Sequence, residues 1–223
     1  MPQDAKGKDM LDFTGKVALV TGAGSVGEGW GNGKATAVLL ARLGARVCGV
    51  DLDAAALAAT TAIMDSEGLS DHWLAQTCNM TLSDQVKSVV DACLARFGRI
   101  DILVNNVGGS APGDPVSMPE DVWQAQLDLN LTTAFLACKH VLPVMESQFD
   151  AGGRGGAIVN IGSVGSHTFQ LGGRVSAGYA AAKAGLEAFG RSTAIAYVRK
   201  GIRVNTVVPG TMHTPLVEHR LVK

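Results

Sequence analysis

The feature that most constrains this chain is an alternation. Short apolar runs, each ending in a glycine or a polar residue, take turns with longer segments of helical composition. The first run is Lys16-Val17-Ala18-Leu19-Val20-Thr21, and it breaks off at Gly22-Ala23-Gly24. A helix is predicted over residues 34–43, a second strand over 46–50 and a helix over 53–67. A third strand follows at 72–78, then a helix at 83–97 with Ser83 as its N-cap. A fourth strand is predicted at 101–105. After a glycine- and proline-rich loop, one long helix covers 119–145, with Pro119 in its first turn. Residues 151–156 form a loop, 157–161 a fifth strand, 177–199 a helix and 202–208 a sixth strand. Strands with apolar residues on both faces belong in a parallel sheet covered on both sides. Right-handed crossovers then make the fold α/β and doubly wound, with ligands at the carboxyl ends of its strands.

No linker or internal repeat divides the chain, so its 223 residues are expected to form one domain, 1–223, with a loose tail at 1–8. Hydrophobic residues make up 47% and charged residues 17%, which provides for a large core and argues against disorder. A net charge of −1, with few and scattered aromatics, argues against nucleic-acid binding. Cys48, Cys78, Cys93 and Cys138 form no CxxC pair, and no apolar leader follows Met1. They are expected to be reduced thiols of a cytoplasmic protein. No apolar run is long enough to span a membrane. His72, His140, His167, His213 and His219 make no ligand cluster with metal-site spacing, so no metal is expected.

The first strand end is dense in glycine, from Thr21-Gly22 to Gly31-Asn32-Gly33. Glycines let a backbone approach a pyrophosphate, and the following helix N-terminus offers free N–H groups and a positive dipole. Asp51 closes the second strand about twenty residues after the glycines, where a carboxylate can bind ribose hydroxyls. A glycine-rich turn and a helix-capping aspartate would look the same. Asp51 would repel a 2′-phosphate, and neither Leu52 nor Trp30 offers a countercharge, so NAD is favoured over NADP.

The second chemical signal is Ser176-Ala177-Gly178-Tyr179-Ala180-Ala181-Ala182-Lys183. In alanine-rich helical sequence, residues four apart share a face. An ammonium beside a phenol favours the phenolate, which suits a group that moves a proton to or from an alcohol. Taken alone, the pair is equally consistent with a surface helix pair.

Taken together, Thr21-Gly22 with Gly31 and Gly33, Asn105-Asn106-Val107-Gly108, Asn130, Ser163, Tyr179-xxx-Lys183 and Pro209-Gly210 resemble the short-chain dehydrogenase/reductase family in order and spacing. The resemblance implies a Rossmann fold and an oxidoreductase that transfers a hydride between NAD and a secondary alcohol or ketone. It implies Tyr179 as acid/base and Lys183 as its activator and a nicotinamide-ribose ligand. Ser163 would hold the substrate oxygen, and Asn130 a water relay. Asn106, Val107 and Gly108 would line the adenosine side. Pro209, Gly210, Thr211, Met212 and Thr214 would lie beside the nicotinamide. By residue type alone, Ser163 is equally a turn cap, Asn130 a buried amide and Pro209-Gly210 a turn.

The sequence departs from the family pattern in several places. Residues 26–30 lengthen the glycine loop, to pack over the cofactor or to bulge outward. Asn79 stands where an aspartate often contacts adenine, so Asn79 and Met80 are expected near the adenine. The longer interval from Ser163 to Tyr179 places His167, Phe169 and Gln170 as candidate pocket residues. The sequence stops before the family's substrate-covering lid and seventh strand. Two alternatives therefore accompany the enzyme: an NAD-binding but weakly active form, and an NADPH-dependent 3-oxoacyl reductase. A homo-oligomer is expected, a dimer through the two long helices in preference to the family's tetramer. Which alcohol or ketone is bound is not written in the motifs.

Overall fold

The computed structural model describes residues 11–168 and 175–221. Six parallel strands form one sheet: β1 (Val17–Thr21), β2 (Arg46–Asp51), β3 (Trp73–Thr77), β4 (Ile102–Asn105), β5 (Ala157–Ile161) and β6 (Arg203–Val207). Their spatial order is β3-β2-β1-β4-β5-β6. The chain winds outward from β1 in one direction and from β4 in the other. The connections therefore diverge between β1 and β4 and leave a crevice at their carboxyl ends.

Period-two alternation along each strand sends neighbouring residues to opposite faces. Val17 and Leu19 of β1 join Cys48, Val50, Leu103 and Ile158 on one face. There they pack on α3 (Ser83–Phe97) and α5 (Thr133–Asp150) through Val86, Val90, Leu136 and Val141. Ala18 and Val20 face the other way, with Val47 and Val104, onto α1 (Asn32–Arg42) and α2 (Ala54–Ser66). Every residue of β1 is buried. The edge differs from expectation: in β6, Arg203, Asn205 and Val207 are exposed, because only the face that carries Val204 packs into the core and these alternate residues point the other way.

Several element ends also differ from the sequence reading. Helix α1 begins at Asn32, two residues early, because Gly31 already occupies its N-cap in extended conformation. Ser83 does not cap α3. Leu82 holds that position, and the Ser83 hydroxyl pairs instead with His140 Nε2 at 3.0 Å. The long helix predicted from Pro119 is in fact three pieces. Pro119 is the N-cap of α4 (Glu120–Leu127), one π-helical turn covers Asp128–Thr132, and α5 continues through Pro143 to Asp150. Burial of Val141, Leu142 and Met145 holds α5 together across the proline. Helix α6 (Ala177–Tyr197) tightens into a 3₁₀ turn before Gly201, whose φ is +64°. A short helix unforeseen from the sequence, α7 (Pro215–Leu221), starts where the Thr214 carbonyl accepts from Val217 and Glu218 N–H.

At the opposite, amino end of the sheet Asp101 is buried. Its carboxylate accepts from Val17 N–H at 2.9 Å and takes a two-pronged bond from Arg99 at 2.9 and 2.7 Å. Its backbone bonds both Val17 and Ala157, so one residue ties β1, β4 and β5 together. Asp101→Leu leaves the Val17 N–H without its acceptor. It is expected to lower unfolding free energy by about 3 kcal/mol in urea titration.

Candidate active site

The glycine loop is sewn to the end of β4. Thr21 Oγ donates to the Val104 carbonyl at 3.2 Å and accepts from Asn106 N–H at 3.0 Å. The Asn106 side-chain amide donates to the carbonyls of Thr21 and Gly22, at 3.1 and 3.0 Å. Gly22 turns the chain with φ +66°, and α1 then presses close: a Cβ at Gly33 would overlap the Gly22 carbonyl and the Asn106 amide. Only glycine permits that approach. The first turn of α1 is thereby aimed at the crevice.

Asp51 ends β2 beside this loop. Its Oδ2 accepts from Gly24 N–H at 2.8 Å and its Oδ1 from Asp53 N–H at 3.1 Å. Asp53 caps α2 through the amides of Ala55 and Ala56. Leu52 between them is exposed. The lengthened stretch leans outward. Its Gly29 carbonyl accepts from the buried Lys34 Nζ at 3.1 Å, the Arg42 guanidinium lies 6.0 Å from the Trp30 ring centroid, and Pro215 lies close to Gly27 and Gly29. Between this stretch and α2 lies a cavity of about 500 Å³, lined by Ser25, Trp30, Lys34, Asp53, Ala56 and Ile63 among others. Its lining includes neither Tyr179 nor Lys183.

On the expected adenine side, Asn79 Oδ1 accepts from both the N–H and the hydroxyl of Thr81. Met80 is buried in the core cluster with Val86 and Leu136. Val107 and Gly108 follow Asn106 out of the sheet. A Cβ at Gly108 would lie 2.7 Å from Asn130 Oδ1 and 3.0 Å from Lys183 Nζ, so these two polar ends converge on one glycine.

Asn130 sits in the π turn and is buried. Its side chain accepts from Gly109 N–H at 2.9 Å and donates to the carbonyls of Gly109 and Gln126 at 3.0 and 2.9 Å. The Gln126 carbonyl, one helical turn before Asn130, thus takes a side-chain bond from it. Helix α6 carries Tyr179 and Lys183 on one face. Lys183 is buried, donates to the Ile161 carbonyl at 2.7 Å, and lies 5.9 Å from the Tyr179 ring centroid. Among the described residues no carboxylate lies within ion-pair distance of it. Ser163 begins the turn after β5, its Oγ accepting from Gly165 N–H at 3.1 Å. A Cβ at Gly165 would lie 3.3 Å from Ser163 Oγ and 3.5 Å from Tyr179 Cε1, which places serine and tyrosine side by side.

The stretch after β6 reaches the same place. The Pro209 carbonyl accepts from Val164 N–H at 3.0 Å, while Gly210, Thr211 and Met212 are exposed and Thr214 begins α7. His167 turns to Glu187, at 3.0 Å from its carboxylate. Phe169 and Gln170 lie outside the described residues. Two residues of the site escaped the sequence reading. Gln126 is buried and accepts from Ala111 N–H at 3.1 Å, and Glu187 holds Ser166. Each stands four residues from a recognised one, Asn130 or Lys183, and that helical spacing was the available signal.

The short chain dehydrogenase family model matches residues 16–221. A 3-oxoacyl-[acyl-carrier-protein] reductase FabG of Thermotoga maritima is 38% identical over 93% of this chain and 78% of its own length. The levodione reductase of Leifsonia aquatica is 36% identical over 94% of this chain and 74% of its own. A crystal structure from Burkholderia xenovorans, assigned to the short-chain dehydrogenases/reductases, superposes with a TM-score of 0.87. It is 51% identical and covers 94% of this chain and 79% of the other. The chain belongs to the short-chain dehydrogenase/reductase family. It is an NAD(P)-dependent oxidoreductase that acts on CH–OH groups. Among the described residues no helix is long and apolar enough to cross a membrane.

Burial pulls the Lys183 ammonium down from its ordinary 10.5 to about 8. The unfolded chain then binds more protons than the folded one between those two values, so stability rises with pH across that window. Below it, holding the charge costs the fold about 3 kcal/mol. In Lys183→Met that pH-dependent part disappears. Urea midpoints for variant and wild type are therefore expected to draw together between about pH 7 and about pH 10, the wild type gaining as pH rises. A difference constant in pH would contradict burial as the cause.

Proposed function

We propose that this protein is an NAD-preferring dehydrogenase that interconverts a secondary alcohol and a ketone, with Tyr179 as the proton-transfer residue. The observation that carries this is the buried Lys183 ammonium, set behind Tyr179 with, among the described residues, no carboxylate within ion-pair distance. A positive charge there stabilises negative charge as it develops on the phenol oxygen during proton transfer with an alcohol. Ser163 stands beside Tyr179 with a hydroxyl hydrogen free for the substrate oxygen, and stabilises charge as it develops there. Asn130, converging with Lys183 on Gly108, fixes the inner wall against which the ammonium rests.

The residues fit a nicotinamide dinucleotide. The glycine cradle that a Cβ at Gly33 would fill, the first turn of α1 and the carboxylate at the end of β2 suit a pyrophosphate and a ribose in turn. Gly22, Gly31, Asn32, Gly33, Asp51 and Leu52 would hold the adenosine and phosphate side, with Asn79, Met80, Asn106, Val107 and Gly108. Lys183 and the segment of Pro209, Gly210, Thr211, Met212 and Thr214 would meet the nicotinamide half. When bound, the nicotinamide supplies the hydride acceptor or donor.

Asp51 and Asp53 favour NAD, because they put two carboxylates at the turn after β2, where a 2′-phosphate would be repelled. Lys34, the cation lining the neighbouring cavity, is held by the Gly29 carbonyl. Four free, buried cysteines support a reducing, cytoplasmic setting. Exposed Phe135 on α5 and Ile195 on α6 support a homo-oligomer joined through those helices.

Tyr179→Phe is expected to abolish turnover of secondary alcohols, followed as absorbance of the reduced nicotinamide, while NAD binding by calorimetry stays near wild type. A variant that keeps most of its turnover would sink the assignment. Asp51→Ser is expected to weaken NAD by about tenfold and shift preference towards NADP. If wild type binds NADP as tightly as NAD, the enzyme is instead of the phosphate-accepting kind.

A further inference from the structure

Helix α6 carries a third polar residue on the face of Tyr179 and Lys183: Glu187, one turn further on. Its side chain is only 12% exposed. Glu187 Oε1 lies 2.6 Å from Ser166 Oγ, and Oε2 lies 3.0 Å from His167 Nε2. Ser166 closes the turn that Ser163 opens. The Ser163 carbonyl receives the Ser166 N–H at 3.1 Å and lies 2.6 Å from Ser166 Oγ.

The Ser166 hydroxyl therefore sits between two oxygens, each 2.6 Å away, and it has one hydrogen. If it donates to Glu187, it cannot also donate to Ser163. Both contacts become hydrogen bonds only when position 187 itself supplies a donor to Ser166. An amide at that position would do so, while the Glu187 carboxyl accepts the hydrogen when Ser166 donates to it. In either arrangement the Ser163 turn is gripped from α6, the helix that carries Tyr179 and Lys183. Serine and tyrosine otherwise meet across two separate elements, a strand-end turn and a helix, and among the described residues the polar contacts from the end of that turn to the helix, through Ser166 and His167, both go to Glu187.

We propose that Glu187 is a positioning residue: acting through Ser166, it sets Ser163 at its working distance from Tyr179. This rests on the role proposed above for Ser163. The His167 contact is its outer guard. His167 is 54% exposed, and a half-exposed pair of this kind contributes little by itself. The Ser166 bond is the shielded one and carries the effect.

The test compares Glu187→Leu, Glu187→Gln and Ser166→Ala with wild type. Glu187→Leu and Ser166→Ala are expected to lower kcat about tenfold, since a small misplacement of a reacting group is expensive. KM for NAD should change less than about twofold, because the cofactor cradle is untouched. Glu187→Gln, whose amide can both donate and accept, is expected to restore kcat to near wild type. A merely space-filling Glu187 would not distinguish Gln from Leu in this way. In parallel, amide hydrogen exchange of Gly165, Ser166 and His167 in the cofactor-free protein should quicken about tenfold in Glu187→Leu but not in Glu187→Gln.

Unchanged kcat and exchange in Glu187→Leu would overturn the proposal. A Glu187→Gln variant as impaired as Glu187→Leu would overturn it equally. If Glu187→Leu fails to fold, Ser166→Ala carries the same test. Should wild type turn over no alcohol at all, the functional assignment fails, while the exchange data still decide whether Glu187 holds the turn.

Discussion

An ammonium taken out of water, with no carboxylate among the described residues in reach, is costly to hold, and the site is arranged around it. Lys183 keeps its charge at the bottom of the crevice through one short bond to the Ile161 carbonyl. Gly108 leaves room for it, and Asn130 approaches the same point from the π turn. Each depends on a different part of the chain: a strand end, a loop after the neighbouring strand, and a deformed helix turn. The Asn130 amide is anchored by the carbonyls of Gln126 and Gly109, which ties the π turn to the loop after β4.

The other organising contact is a close approach of backbones. Asn106 binds two consecutive carbonyls of the glycine loop, and Gly33 brings α1 against them. It lies at the point where the winding reverses between β1 and β4. The sheet order alone would leave a crevice there. The amide and the glycines turn it into a cradle with free N–H groups, flanked by the carboxylate of Asp51. The lengthened stretch 26–30 does not interrupt this. It is held outward by Lys34, Trp30 packing and Pro215, and it encloses a separate cavity against α2.

Legibility differed between the fold and the site. Strand β5 matched to the residue, and the others to within one, because a short run rich in apolar residues and bounded by glycine or polar residues marks a parallel strand. The breaks in the long helix were not legible. Nothing in Asp128-Leu129-Asn130-Leu131-Thr132 disfavours a regular helix, and the Gly109 backbone that Asn130 bonds lies twenty-one residues earlier in the chain. Ser83 has the composition of a cap yet bonds His140, fifty-seven residues away in the chain. Helix α7 begins at a Thr-Pro pair that reads as readily as a turn.

The sequence by itself determined the class of fold, the direction of every strand and the identities of the groups gathered at their carboxyl ends. Those follow from short-range rules, the two-residue and four-residue periods and the conformational freedom of glycine. Only the tertiary structure decided what each group is bonded to. It gave Asp51 the amides of Gly24 and Asp53, turned His167 to Glu187, and placed Ser166 between Glu187 and Ser163. These are contacts between segments far apart in the chain. Their geometry is set by how two helices and a strand end pack together, which no local pattern of residues records.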